Sequence, residues 1–352
     1  MTPQEPVYKL RLLPPSPENP RNSEGSFVQL RDGRLFLAYS HFYGGGHDNS
    51  AARIAGRYSS DGGYTWTDRD VLVVGNEGVE NVMSVSFLRL DSGNIALFYA
   101  IKNGWNDCKL HMRTSEDEAQ TWSDRVCTIP HEGYHVVNND RVVQLSSGRL
   151  IVPAAYHPCP DGTRETWSSR GISMCFLSDD RGSTWRMSRT ALEAPEQSKS
   201  GLQEPGVVEL KDGSLMMLMR TDQGCQFRSY SYDGGETWTS AESTDIRSPV
   251  SPASFKRIPA TGDLLLVWND HTDIRPALRG KRTPLTVAIS RDEGRTWENR
   301  KTLEDDPEGW YCYTAITFVD HTVVLGYCAG NRQMGGLNLL QITVVDVNWL
   351  YV

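Results

Sequence analysis

Six residues of this chain are of types that hold anions or move protons: Arg21, Asp48, Glu204, Arg220, Arg282 and Tyr313. Arginine presents a planar, permanently charged fork that fits a carboxylate or phosphate. Carboxylic acids exchange protons. A tyrosine hydroxyl, with an ordinary pKa of about 10, attacks an electrophile only when a base takes its proton. Any one of the six, taken alone, reads as readily as a surface ion pair or a packed strand residue. The set carries meaning only if the fold gathers it, so the elements that bear these residues come next.

The chain is organised by repetition. Five octapeptides share the pattern S-x-D-x-G-x-T-W: SSDGGYTW (59–66), SEDEAQTW (115–122), SDDRGSTW (178–185), SYDGGETW (231–238) and SRDEGRTW (290–297), with Ala119 alone in the glycine place. Their tryptophans stand 56, 63, 53 and 59 residues apart, a period that marks a stacked-repeat architecture. Upstream of each lies a pair of alternating apolar runs joined by a short turn, such as SFVQLRDGRLFLAYS; a sixth pair, TAITFVDHTVVLGYCA, has no octapeptide after it. Such pairs read as hairpins. The pattern predicts an all-β, six-bladed β-propeller with four antiparallel strands A–D per blade, formed by residues 1–352 as a single domain. The octapeptides occupy the C–D turns, and the last blade is completed by LNLLQITVVDV and the N-terminal VYKLRLL. Closing the ring in this way hides sheet edges. The repeated aspartates, 61, 117, 180, 233 and 292, are expected to accept hydrogen bonds from turn amides rather than to bind calcium or act as acids. The tryptophans are expected to pack against the blades.

Strand order also predicts which end carries chemistry. The start of A, the end of B and the start of C all face one end. Arg21 precedes A of blade 1, and Asp48 with His47 lies in the B–C loop HFYGGGHDNSAARIAG. Glu204 starts A of blade 4, Arg220 ends B of blade 4, Arg282 precedes C of blade 5, and Tyr313 starts A of blade 6. Asn138, Asn139, Asp140 and Arg141, Glu80 and Asn81, and Asn269, Asp270 and His271 share that end, as ligand-binding or loop-capping groups. Trp105, Trp167 and Trp310 read as ligand platforms or as core.

Composition narrows the partners. With 36 basic and 44 acidic residues the formal charge is −8, which argues against nucleic acid or an anionic membrane. No apolar run is long enough to span a bilayer. The start MTPQEPVYKL lacks the basic-then-apolar pattern of a signal peptide, so a cytoplasmic location is expected. The seven cysteines include no C-x-x-C pair and read as buried reduced thiols rather than a disulfide or zinc framework.

The octapeptides resemble the Asp boxes of the sialidase superfamily, and the residues gathered at one end resemble its catalytic set, a likeness that covers essentially the whole chain. It implies that Arg21, Arg220 and Arg282 clamp a substrate carboxylate, that Asp48 is the acid/base, and that Tyr313 is the nucleophile with Glu204 as its base. His47, Asn139 and Tyr311 join as substrate contacts. Tyr311, two residues from Tyr313 on an extended segment, is expected to face the same side and to be the alternative nucleophile. The family's first arginine sits in an F/Y-R-I-P string, whereas here the surroundings read NPRNSEGS, as in a divergent branch. The implied activity is a retaining exo-α-sialidase that acts on a sialylated glycan or another acidic sugar glycoside and needs no metal or organic cofactor. The rival readings are a glycosidase or polysaccharide lyase for a different acidic sugar, and a non-catalytic glycan-binding propeller.

Overall fold

A computed structural model describes residues 6–352; residues 1–5 of the expected domain lie outside the described residues. The described chain is built of strands, with only two short 3-10 helices. Six antiparallel units follow one another. The inner strands are Arg21–Gln29, Asn81–Arg89, Val143–Gln144, Gln203–Glu209, Ser254–Arg257 and Gly309–Val319. Each pairs with the second strand of its hairpin. In unit 6 the order is Gly309–Val319, Thr322–Asn331, Leu340–Asp346, then Val7–Leu13 on the outer edge. The N-terminal and C-terminal segments therefore share a sheet, as expected from their sequences. Arg21–Gln29 touches Asn81–Arg89, Ser254–Arg257 touches both Gln203–Glu209 and Gly309–Val319, and Gly309–Val319 touches Arg21–Gln29.

Units 2 and 3 depart from the four-strand expectation. They form one nine-stranded sheet, joined by Gly133–Val136, which pairs in parallel with Asp107–Ser115 and antiparallel with Leu150–His157. The cause is the short outer strand of unit 2. Val126–Cys127 covers only His111 and Met112, and Gly133 and Tyr134 take the edge left open beside Asp107 and Cys108. Unpaired backbone groups need partners.

The octapeptide turns are held by one repeated hydrogen-bond set. In every copy the threonine amide donates to aspartate Oδ1 at 2.8–2.9 Å and the threonine hydroxyl donates to Oδ2. The amide of the glycine position donates to serine Oγ at 2.8 Å. This accounts for both aspartate oxygens within the turn itself. The tryptophans pack on the face of the preceding unit rather than on their own alone: Trp66 joins the core cluster shared by units 6 and 1, and Trp122 the one shared by units 1 and 2. The glycine position explains why. A Cβ on Gly182 would meet Met112 Sδ of unit 2 at 2.3 Å, and its φ is +91°. Ala119 keeps the same left-handed backbone, φ +66°, at about 1–2 kcal/mol, with its methyl buried in the cluster between units 1 and 2. Unit 6 has no octapeptide, and in the cluster between units 5 and 6 its place is filled by Trp349 of the 3-10 helix Val347–Tyr351.

These turns set an acid limit. Hydrogen bonds from Thr121 and Thr184 lower the carboxyls of Asp117 and Asp180 to about 2, below the ordinary aspartate value near 4. A depressed native pKa stabilises the fold fully above the unfolded value and is lost as pH falls toward the native one. The urea midpoint should therefore decline between about pH 4 and pH 2. Asp180→Asn should lower the midpoint at neutral pH and flatten the decline, and an unchanged pH slope would refute the assignment.

Six of the seven cysteines are buried and all are unpaired, but Cys127 is exposed, contrary to expectation. It lies on the short outer strand of unit 2.

Candidate active site

Five units carry the same departure, in or just before the inner strand. Glu24, Ser84, Asp140, Glu204 and Tyr313 have φ of +55°, +58°, +56°, +45° and +59°, and four of them sit at register shifts in their hairpins. Such bulges re-aim a side chain out of the regular alternation, and left-handed backbone at a non-glycine residue is the kind of strain found at functional sites. Asp140 shows what holds this centre together. Its carboxylate accepts from Ser26 Oγ at 2.9 Å, the Ile316 amide at 2.9 Å and Lys256 Nζ at 2.9 Å, which ties units 1, 3, 5 and 6.

Four of those residues, Glu24, Ser84, Glu204 and Tyr313, open onto a cavity of about 510 Å3 whose wall also includes Asp48, Lys102, Arg220 and Arg282. Tyr313 Oη donates to Glu204 Oε1 at 3.0 Å, and Arg220 Nη1 donates to Glu204 Oε2 at 2.7 Å. Burial disfavours the charged form of Glu204, but Arg220, Arg282 and the two hydrogen bonds outweigh it and hold its pKa below the ordinary value. Burial and the Glu204 charge push the Tyr313 phenol well up. The pair is thus a carboxylate accepting from a neutral phenol. Arg282 is 7% exposed and makes no ion pair among the described residues; its guanidinium lies 5.1 Å from the Trp310 ring and 5.3 Å from the Tyr313 ring. A buried charge with no carboxylate in contact is costly, and this wall can hold an anion.

Beside them, Arg21 donates to Asp48 through Nη1 and to Glu24 Oε2 at 3.1 Å through Nη2. Nearby protein atoms oppose ionisation of Asp48, although its side chain is 62% exposed, but Arg21, then Lys102 and Arg282, keep its carboxyl below the usual range. Burial pushes the Glu24 carboxyl up despite Arg21.

Comparison with known proteins adds to this geometry. The BNR repeat-like domain family matches residues 41–325. The chain belongs to that family, within the sialidase superfamily. It is 25% identical over 283 residues to an anhydrosialidase of Macrobdella decora, covering 74% of this chain and 34% of that one. It is 29% identical over 244 residues to a sialidase of Paraclostridium sordellii, covering 60% and 56%. The chain thus spans between a third and about three-fifths of the length of these relatives. Among solved structures, the NanB sialidase of Streptococcus pneumoniae shares the fold, with a TM-score of 0.74 at 18% identity over 98% of this chain and 71% of that one.

Within this BNR repeat-like chain the remaining expected residues fall in different places. Arg21 is 1% exposed and stands behind the cavity wall, joined to it through Asp48 and Glu24. His47 is exposed on the loop and does not line the cavity. Asn139 does not reach the cavity either: its amide donates to the carbonyls of Gly25 at 2.7 Å and Tyr313 at 3.0 Å, so it holds the tyrosine's backbone. Tyr311 is a correction. It is 6% exposed in the core cluster between units 5 and 6, because the bulge between Cys312 and Ala315 breaks the alternation that would have put it beside Tyr313. Asn81 donates to the carbonyls of Asp48 and Ser50 at 2.8 and 2.9 Å, and Glu80 accepts from Asn49, so both brace the Asp48 loop. Asn269 likewise caps backbone, at Pro284 and Tyr311. Trp105, Trp167 and Trp310 all line the cavity.

Two residues escaped the sequence reading. Lys102 is 1% exposed, donates to Asn49 Oδ1 at 2.8 Å and lies 5.3 Å from the rings of Trp105 and Tyr134. Glu24 lines the cavity from the inner strand of unit 1. Its signal was available: aligned on the hairpins, it occupies the same place as Glu204 and Tyr313.

Proposed function

We propose that this chain is a six-bladed β-propeller bearing a retaining exo-α-sialidase-like glycoside hydrolase that releases a terminal sialic or related nonulosonic acid. The observation that carries this reading is the hydrogen bond from Tyr313 to Glu204 beside Arg220 and Arg282. A sialic acid bears a carboxylate on its anomeric carbon. A carboxylate nucleophile would be repelled by it, and sialidases with a tyrosine nucleophile are one known exception to the two-carboxylate pattern of glycosidases. In the first step the Tyr313 oxygen bonds to the anomeric carbon as its proton passes to Glu204. The glycosidic bond breaks, and Asp48 protonates the leaving oxygen. Water then reverses the sequence and the configuration is retained. Asp48 rests on Arg21; a substrate carboxylate held by Arg282 offsets one of the cations that depress Asp48 and lets its pKa rise, as a general acid requires.

The test is incubation with a fluorogenic N-acetylneuraminic acid glycoside. Release of the fluorophore is expected. Binding without release would favour a glycan-binding propeller, and an unsaturated product absorbing in the near ultraviolet a lyase. Because one relative is named an anhydrosialidase, the product mass should be read: an internal anhydro sugar is lighter than the free acid by one water. Asp48→Ala should lose about 10²–10⁴-fold on substrates with poor leaving groups and far less on aryl glycosides. Equal losses on both would remove Asp48 from the acid role.

A further inference from the structure

A second cavity, of about 290 Å3, is lined only by segments at the inner strands of units 3, 4 and 5, and Arg141 is part of its wall. Arg141 is 4% exposed. Among the described residues its guanidinium makes no hydrogen bond and no ion pair, and Nε and Nη2 are buried without partners. The charged neighbours are already engaged, first among them Glu204, whose charge acts on Arg141 through space but which pairs with Arg220 at 2.7 Å. Asp140 holds Lys256, and Arg257 pairs with Glu293 at 2.7 Å. Glu209 accepts from Ser146. A buried lysine could shed its proton, but an arginine cannot, and an isolated buried ion carries a penalty of several kcal/mol. The remaining nitrogen, Nη1, is kept uncovered by a small neighbour: a Cβ at Gly206 would lie 3.0 Å from it.

We propose that this cavity is an anion site, distinct from the sialoside cavity, in which Arg141 holds a small tetrahedral oxyanion of phosphate or sulfate size. The planar fork of arginine suits oxyanions, and the cavity volume accommodates one with a few waters. Asn139, two residues away, carries the hydrogen bond to the Tyr313 carbonyl, so the bound anion braces the segment that supports the tyrosine.

Thermal unfolding at constant ionic strength tests this with sodium sulfate against sodium chloride, in the intact chain and in Arg141→Met. The Tm of the intact chain should rise by about 2 °C more than that of the variant in sulfate at roughly tenfold its Kd. The comparison cancels both the general salting effect of sulfate and its binding to the arginines of the sialoside cavity. Anomalous diffraction from crystals of the unaltered chain soaked in sodium selenate reports independently, and a peak within hydrogen-bond distance of Arg141 is expected. Equal sulfate responses in the two proteins would overturn the proposal. So would selenate density confined to the cavity of Arg220 and Arg282, a result that does not depend on the variant folding or on any glycosidase activity.

Discussion

Tyr313→Phe is expected to lower kcat on a sialoside by at least about 10³-fold. The substitution removes a single oxygen. Glu204 keeps its ion pair with Arg220 at 2.7 Å, so the cavity should retain its charge and shape while losing the one hydroxyl that, among the described residues, donates to Glu204. Glu204→Gln should cost about 10²–10⁴-fold, the range for a lost general base, and the double variant should be little worse than Tyr313→Phe, because the two residues act as one unit. A fluorinated sialic acid that slows turnover should label one tyrosine, located by peptide mass spectrometry. The label is expected on Tyr313, since Tyr311 is shut into the core between units 5 and 6. Undiminished turnover by Tyr313→Phe, or cleavage with inversion and no labelled peptide, would replace the tyrosine mechanism with one based on water.

The second large effect is expected at Arg282. Its guanidinium has no ion-pair partner among the described residues and faces the cavity between the Trp310 and Tyr313 rings. A charge-assisted hydrogen bond is worth about 1.5–3 kcal/mol, so losing the fork should weaken an anionic substrate by roughly 10–150-fold. Arg282→Lys keeps the charge and loses the fork, and its effect should fall mainly on KM. Arg220→Lys also disturbs Glu204 and should lower kcat as well. A sialoside whose carboxylate is esterified supplies the control, since the preference of the intact protein for the free acid should shrink in both variants. Unchanged KM in both would mean that the cavity does not grip a carboxylate.

The fold was legible because its signals are local. Each octapeptide builds its own turn from a serine, an aspartate and a threonine within eight residues, and hairpin turns can be read from their glycines. The placement of Arg220 at a strand end and Arg282 just before a strand followed from strand order alone. Tyr311 failed for a stated reason: alternation assumes a regular strand, and the bulge at Tyr313 is imposed where inner strands crowd together. The parallel strand Gly133–Val136 failed because its partners are set by an edge left open elsewhere.

The sequence by itself determined the repeat, the hairpins, the turn chemistry and the end at which the polar residues gather, since all of these depend on residues close along the chain. Only the tertiary structure decided which of those residues meet. Tyr313 and Glu204 are 109 residues apart and Asp140 and Ile316 are 176 apart. Glu24 became a wall of the cavity, Asn139 a support beneath it and Arg141 an unpaired charge in a second cavity through the same packing of inner strands. Contacts at such separations are selected by the burial and hydrogen bonding of the whole assembly, and no local pattern encodes them.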